Sequence, residues 1–78
     1  MYYVYILKSI ITNEKYIGYT TNLKERIKQH NSGQSEFTSH RGPYKIAWYS
    51  AFIEKRKALA FEKYLKSSSG FAFINKHF

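Results

Sequence analysis

The chain has 78 residues, no cysteine and a formal net charge of +8, from 13 Lys and Arg against five acidic residues that are all Glu. The length predicts a single domain, residues 1–78, and the lack of cysteine excludes disulfides and thiolate metal sites. The charge favours a polyanionic partner, because Lys and Arg that contact phosphates release counterions.

The first part of the chain predicts a β-hairpin. Residues 2–8 are apolar on both alternating faces, which is typical of a central strand, and residues 15–20 form a second strand after a turn at residues 12–13. The apolar start is interrupted by Lys8 and is too short to cross a membrane. We therefore expect a cytoplasmic protein with no membrane partner.

A helix is predicted next, at residues 23–30. Asn22 is a suitable N-cap, and Glu25 three residues later completes a capping box. The helical repeat of 100° per residue turns Gln29 away from the core with the other polar side chains. Four residues share the opposite arc, which faces the core: Leu23, Arg26, Ile27 and His30.

The second half predicts a strand at residues 44–52 and a helix at residues 55–66, which begins without a clear cap. The break at residues 67–70 precedes a short packing helix. Two sets of apolar residues define the core-facing sides of the strand and of the last helix: Ile46, Trp48 and Phe52 in the strand, and Phe71, Ile74 and Phe78 in the helix. The fold class is α+β: a three-stranded antiparallel sheet flanked by helices, in the order β-β-α-β-α with a short C-terminal helix.

Each of the two longer helices carries one charged residue on its core-facing side, Arg26 in the first and Glu62 in the second. A charge in that position is paired or borders a cleft. Two interpretations follow: a salt bridge that joins the two helices, or a polar cleft with an arginine for phosphate and a carboxylate for a metal. Scattered glutamates without any aspartate disfavour a two-metal centre.

Gly18 lies inside the second strand beside Tyr16, where a glycine marks a close backbone approach or a ligand. The surrounding pattern resembles the GIY-YIG nuclease family over about residues 2–66. The resemblance is to its small free-standing members, which are similar to the N-terminal nuclease domain of the DNA-repair excinuclease. Four segments carry the resemblance: "YIG" at residues 16–18, the degenerate "YVY" at residues 3–5, the helix with Arg26 and His30, and the helix with Glu62.

The resemblance implies a metal-dependent endonuclease that hydrolyses phosphodiester bonds, with DNA favoured over RNA. Glu62 would hold one Mg²⁺ or Mn²⁺, and Arg26 would neutralise charge on the scissile phosphate. Tyr16, with Tyr5 adjacent, would orient or deprotonate the attacking water, and His30 would share that work. Either Tyr16 or His30 can serve as the general base at this point.

Six further residues are candidates for nucleic-acid contacts: Tyr19, His40, Arg41, Lys45, Lys66 and Asn75. Solvated surface side chains are the alternative interpretation for this set. Two alternatives to the nuclease also stand: a non-catalytic nucleic-acid-binding module on the same fold, and a protein-interaction role for the Phe-rich tail. Protein partners and oligomeric state are open.

Overall fold

Three strands and three helices make up the described part of the chain, residues 1–31 and 43–78 of a computed structural model. Their bounds are β1 Tyr2–Ser9, β2 Lys15–Thr20, α1 Leu23–Asn31, β3 Tyr44–Phe52, α2 Lys55–Leu65 and α3 Ser68–His77. The strands pair antiparallel in the order β2-β1-β3. The predicted fold class, element order and central first strand are confirmed. Within these ranges, no helix has the length and apolar character needed to cross a membrane.

The sheet has a hydrophobic core on each face, because successive residues of a strand point to opposite sides. The core on the α1 side contains Tyr5, Leu7 and Tyr44, with Tyr16, Leu23 and Ile27 packed against it. The core on the other side contains Val4, Ile6, Ile17, Ala58, Leu65 and Ile74. The sheet therefore lies between α1 on one face and α2 and α3 on the other.

A β-bulge in β3 changes the predicted side of one residue. The pairing with β1 shifts between Ile6, which faces Trp48, and Leu7, which faces Ile46. The extra residue, Ala47, packs with Trp48 against the core on the α2 side, so Ile46 turns to the α1 side. The prediction that Ile46 shares a side with Trp48 and Phe52 is therefore wrong.

Both ends of α1 are held by asparagine side chains. Asn22 accepts a hydrogen bond from the Glu25 backbone N–H at 3.2 Å, which confirms the predicted N-cap. The backbone N–H of Asn22 donates to the hydroxyl of Thr20, so Glu25 does not complete the capping box. At the other end, Asn31 bonds both backbone groups of Tyr44, at 2.8 and 3.1 Å, and fixes α1 against the start of β3.

The joint between α2 and α3 depends on a glycine. A Cβ on the buried Gly70 would overlap the Tyr64 carbonyl oxygen and the backbone of Leu65, so only glycine permits this approach. Ser67 is the N-cap of α3 and accepts from the Gly70 N–H at 3.2 Å, which starts the helix at Ser68, earlier than predicted.

The apolar side of α3 differs from the prediction at one residue. Ile74 is 1% exposed, and Phe78 packs against the core as predicted. Phe71 is 52% exposed, because Gly70 occupies the position that faces α2 and turns the next residue outward. The prediction that Phe71 packs in the core is therefore wrong.

Candidate active site

The candidate site forms where the ring of Tyr5 lies across Gly18. The two residues are paired in the β1–β2 register, and a Cβ at Gly18 would overlap Cζ and Oη of Tyr5. The glycine therefore lets the tyrosine ring cross the backbone of β2, an edge strand of the described sheet. Gly18 therefore marks the close approach of a side chain of the protein itself, because the Tyr5 ring fills the space beside the glycine.

Tyr5 meets His30 of α1 in the interior of this site. The Tyr5 hydroxyl and His30 Nε2 are 3.0 Å apart in a hydrogen bond, and both side chains are buried, at 0% and 1% exposure. The Tyr16 ring packs against the edge of the His30 ring, with centroids 4.9 Å apart, and lies 6.4 Å from the Tyr5 ring. The two tyrosines and the histidine thus form one cluster.

Arg26 joins this cluster from α1, one turn before His30. Its Nη1 donates to Gln29 Oε1 at 2.9 Å, and its guanidinium lies beside the hydroxyls of Tyr5 and Tyr16, whose interaction with it raises the pKa of Arg26. A guanidinium is a donor only, so with Arg26 beside it the Tyr5 hydroxyl is best placed to donate its proton to His30 Nε2. Arg26 is partly exposed, which leaves room for an anionic substrate.

The electrostatics of the cluster favour a neutral interior beside a permanent positive charge. Burial raises the pKa of the Tyr5 phenol above its usual value, although its hydrogen bond to Arg26 acts in the opposite direction. Burial, followed by the positive charge of Arg26, lowers the pKa of His30. The hydrogen bond to Tyr5 is the largest cause of a raised pKa of Arg26. At neutral pH the cluster therefore contains a neutral tyrosine, a neutral histidine and a charged arginine.

Glu62 comes from α2, on the opposite face of the sheet, and acts on the cluster through its charge. Its negative charge contributes to the raised pKa of Tyr5, although burial of Tyr5 is the largest cause. The carboxylate is 21% exposed, and its Oε2 lies 3.3 Å from Lys66 Nζ. Among the described residues its ion-pair partner is thus Lys66, and the direct Arg26–Glu62 salt bridge considered from the sequence is not formed.

The acidic groups present are suited to one weakly held divalent cation. Residues 1–31 and 43–78 contain no group of three or more His, Asp or Glu side chains that could enclose a metal. A single carboxylate is compatible with Mg²⁺, which retains several waters and takes its other ligands from substrate phosphates. Glu62 fits this arrangement, since it is partly exposed and its charge acts on Tyr5, which also interacts with the arginine that would receive the phosphate.

The remaining predicted residues divide into those near the cluster and those away from it. Lys66 is near, since it pairs with Glu62 and lines a cavity with Tyr16. Asn75 lines the neighbouring cavity. Tyr19 stacks on Tyr2 at 6.4 Å and packs on the α2 side, away from the face of Tyr5 and Tyr16.

Lys45 is also away from the cluster. It alternates with Tyr44, whose side chain is buried on the α1 side, and so projects to the opposite face beside Lys8. His40 and Arg41 lie outside the described residues.

Two residues at the site were missed from the sequence. Gln29 was placed on the outward arc of α1, but its long side chain reaches back to Arg26, three residues earlier, and holds the guanidinium. The i, i+3 spacing on one helix was the available signal. Lys15 lines the cavity beside Tyr16, which its position at the start of β2 does not predict.

The order of the elements and the topology of the sheet agree with the class of domain that the sequence signature indicated. Residues 1–76 match the family described as the GIY-YIG catalytic domain, and the chain belongs to that family. It is 45% identical to UPF0213 protein CPE1444 of Clostridium perfringens, over 85% of this chain and 71% of the relative. It is 34% identical to UPF0213 protein SpyM3_1077 of Streptococcus pyogenes serotype M3, over 96% and 86%.

A solved structure supports the same assignment. The solution NMR structure of UPF0213 protein BH0048 from Bacillus halodurans is similar to this chain, with a TM-score of 0.59 and 35% sequence identity. The similarity covers 97% of this chain and 84% of that one. The names of these relatives state no substrate, so the reaction must be argued from the site.

Proposed function

We propose that this chain is a metal-dependent endonuclease that hydrolyses phosphodiester bonds of nucleic acid, DNA in preference to RNA, with one Mg²⁺ or Mn²⁺. The observation that carries the proposal is the position of Arg26. Its guanidinium bonds Gln29 and lies beside the hydroxyls of Tyr5 and Tyr16, yet it is partly exposed, and the charge of one carboxylate, Glu62, acts on the same Tyr5.

Arg26 receives the scissile phosphate. A planar guanidinium matches two phosphate oxygens, and its fixed geometry stabilises charge that develops as water attacks phosphorus. A P–O bond to water forms while the P–O3′ bond breaks, which leaves a 5′-phosphate and a 3′-hydroxyl. Gln29 holds the arginine before substrate arrives, with the Tyr5 and Tyr16 hydroxyls beside it, so little rotamer entropy is lost at that step.

Tyr16 contacts the attacking water, and His30 acts behind it. Tyr16 lines a cavity that opens to solvent, whereas His30 is 1% exposed and is bonded to Tyr5. The buried histidine therefore orients the tyrosine pair and remains a neutral proton acceptor, because its pKa is lowered. Of the two candidate bases, we therefore propose Tyr16 as the residue in contact with water.

Glu62 would hold the divalent cation, which, when bound, polarises the phosphate and stabilises the leaving oxygen. Before it binds, the Glu62 carboxylate is neutralised by Lys66 at 3.3 Å. Since the lysine ammonium carries three donors on a flexible stem, it can turn to a phosphate when the carboxylate takes a metal.

Plasmid nicking in Mg²⁺ or Mn²⁺ tests the proposal. We expect Arg26→Ala and Glu62→Gln each to lower the cleavage rate by about a hundredfold or more, the scale of losing one preorganised transition-state contact. The matched controls are Arg56→Ala, an exposed arginine on α2, and Glu54→Gln, a carboxylate paired to Lys57 much as Glu62 is paired to Lys66. Both controls should retain full activity.

Equal cleavage by the wild type, Arg26→Ala and Glu62→Gln would identify a contaminant and refute the proposal. A non-catalytic nucleic-acid-binding module, favoured by the net charge of +8, gives a different result. It predicts salt-sensitive binding without cleavage, and Glu62→Gln should then leave affinity unchanged or higher, because a carboxylate repels the phosphate backbone.

A further inference from the structure

The geometry points to a subsite for one unpaired nucleobase, formed around Phe71 beside Tyr16, so that the preferred substrate has an unpaired nucleotide next to the cleaved phosphate. The inference rests on the proposed hydrolysis for the position of that phosphate. Single strands, overhangs and branched ends provide such a nucleotide, whereas an intact duplex does not.

The subsite is a cavity of about 340 Å³ at the edge of β2. Its lining contains Lys15, Tyr16 and Ile17 of β2, together with Lys66 and Phe71. Ligand-binding clefts have volumes of about 300–1,000 Å³, so one base with its sugar can enter. Because Tyr16 belongs both to this cavity and to the catalytic cluster, a nucleotide held here adjoins the phosphate at Arg26.

Phe71 provides the stacking surface. It is 52% exposed although it is a large aromatic residue, and it borders a second cavity of about 290 Å³ that also contains Asn75. A base in a duplex already stacks on its neighbours, so only an unpaired base can use an aromatic side chain in this way. The amide of Asn75 can hydrogen-bond a base edge, which agrees with its predicted role in nucleic-acid contact.

The charges around Phe71 distinguish a nucleotide from an apolar peptide or a second copy of the chain. Lys15 and Lys66 line the first cavity together with Phe71, one carboxylate, Glu14, lines the second, and the whole chain has a net charge of +8. An aromatic platform between cations is the combination that binds single-stranded nucleic acid, since the bases stack while the phosphates pair with lysine.

Binding without cleavage tests the subsite directly. Fluorescence anisotropy in EDTA at low salt would compare a labelled single strand of DNA, the same strand as RNA, and a blunt DNA duplex. We expect Phe71→Ala to weaken single-strand binding by about tenfold or more, the scale of one lost base–aromatic stack, and to change duplex binding by less than about twofold. Phe71→Trp should retain single-strand affinity.

Phe73→Ala is the matched control. Phe73 is also an exposed phenylalanine of α3, at 42%, but its ring contacts His77 and Phe78, and it is not among the described residues that line the two cavities. We expect it to bind both forms like the wild type. Equal losses in Phe71→Ala and Phe73→Ala, or equal losses for single strand and duplex, would overturn the subsite.

The two proposals fail separately. If Arg26-dependent nicking is observed but Phe71→Ala binds a single strand normally, the hydrolysis stands and the subsite is wrong. If single-strand binding depends on Phe71 but no preparation cleaves in Mg²⁺ or Mn²⁺, the subsite stands and the hydrolysis is wrong.

Discussion

Gly18→Ala should disrupt the candidate site from inside the sheet. The added Cβ would overlap Cζ and Oη of Tyr5 and would lie 2.9 Å from its Cε1. The Tyr5 ring must then move, and the 3.0 Å hydrogen bond to the buried His30 breaks. Overpacking costs about 1–3 kcal/mol. The lost hydrogen bond costs about 0.5–1.5 kcal/mol, so the free energy of unfolding should fall by about 2–4 kcal/mol.

Urea unfolding and thermal melts measure this change. In a domain of this size, about 2–4 kcal/mol corresponds to a Tm lower by about 10–25 °C. Because the predicted cost arises from one side chain, it should depend on that side chain. Gly18→Ala in a Tyr5→Leu background should cost less than about 1 kcal/mol, since leucine is too short to reach the positions of Cε1, Cζ and Oη that the added Cβ would meet.

If Gly18→Ala lowered the free energy of unfolding equally in both backgrounds, overlap with the Tyr5 ring would not be the cause. That result would mean that the glycine is required for the backbone of β2 and not for the passage of the Tyr5 ring.

Three further predictions concern stability. Since the pKa of His30 is lowered in the folded state, the unfolded chain binds its proton more readily, and stability should fall as the pH decreases below about 6.5. In thermal melts between pH 7.5 and 5.5, the dependence of Tm on pH should become weaker in His30→Gln. It should not change in His77→Gln, which alters an exposed residue. An unchanged pH dependence in His30→Gln would contradict the role of His30. In urea unfolding, Asn31→Ala should lower the free energy of unfolding by about 1–3 kcal/mol, because it removes both hydrogen bonds to the Tyr44 backbone. Asn31→Asp should lower it by less, because the carboxylate still accepts from the Tyr44 N–H. Equal losses in the two variants would show that the bond from the Tyr44 N–H contributes nothing. Gly70→Ala should cost about 2 kcal/mol or more, since its Cβ meets backbone that cannot rotate away, and a neutral result would show that α3 is not held closely against α2.

The elements of the fold were predictable because each has a local signal. The bounds of β2 and β3 agree with the predicted ranges, since runs of aromatic and β-branched residues end at turn residues. The N-cap of α1 followed from Asn22 alone. The bulge at Ala47 was not predictable, because it exists only in the pairing of β3 with β1.

The candidate site was predictable to the extent that residues lie on a strand face or a helix arc. The helical repeat placed Arg26 and His30 on one arc of α1, the family resemblance made them site candidates, and the structure brings both to Tyr5. What periodicity cannot give is the path of a side chain across another strand. The passage of Tyr5 over Gly18 and the return of Gln29 to Arg26 are both of this kind.

The position of Phe71 shows the same limit in α3. The spacing of its apolar residues assigned Phe71 to the core, but the close approach of α3 to α2 requires the glycine that precedes it. The core-facing side therefore shifts by one residue, and an aromatic ring is left exposed beside Tyr16.

We propose that Arg26 and Glu62 act on one phosphate in a single site, although they come from helices on opposite faces of the sheet. A double-mutant cycle of kcat/KM for nicking, with Arg26→Ala, Glu62→Gln and the double variant, tests it most directly. We expect each single change to lower kcat/KM by about a hundredfold. We expect the kcat/KM of the double variant to be less than about tenfold below that of the slower single variant. Two results would contradict a shared site. One is a loss of kcat/KM in the double variant equal to the product of the two single losses; the other is a wild-type kcat/KM in either single variant.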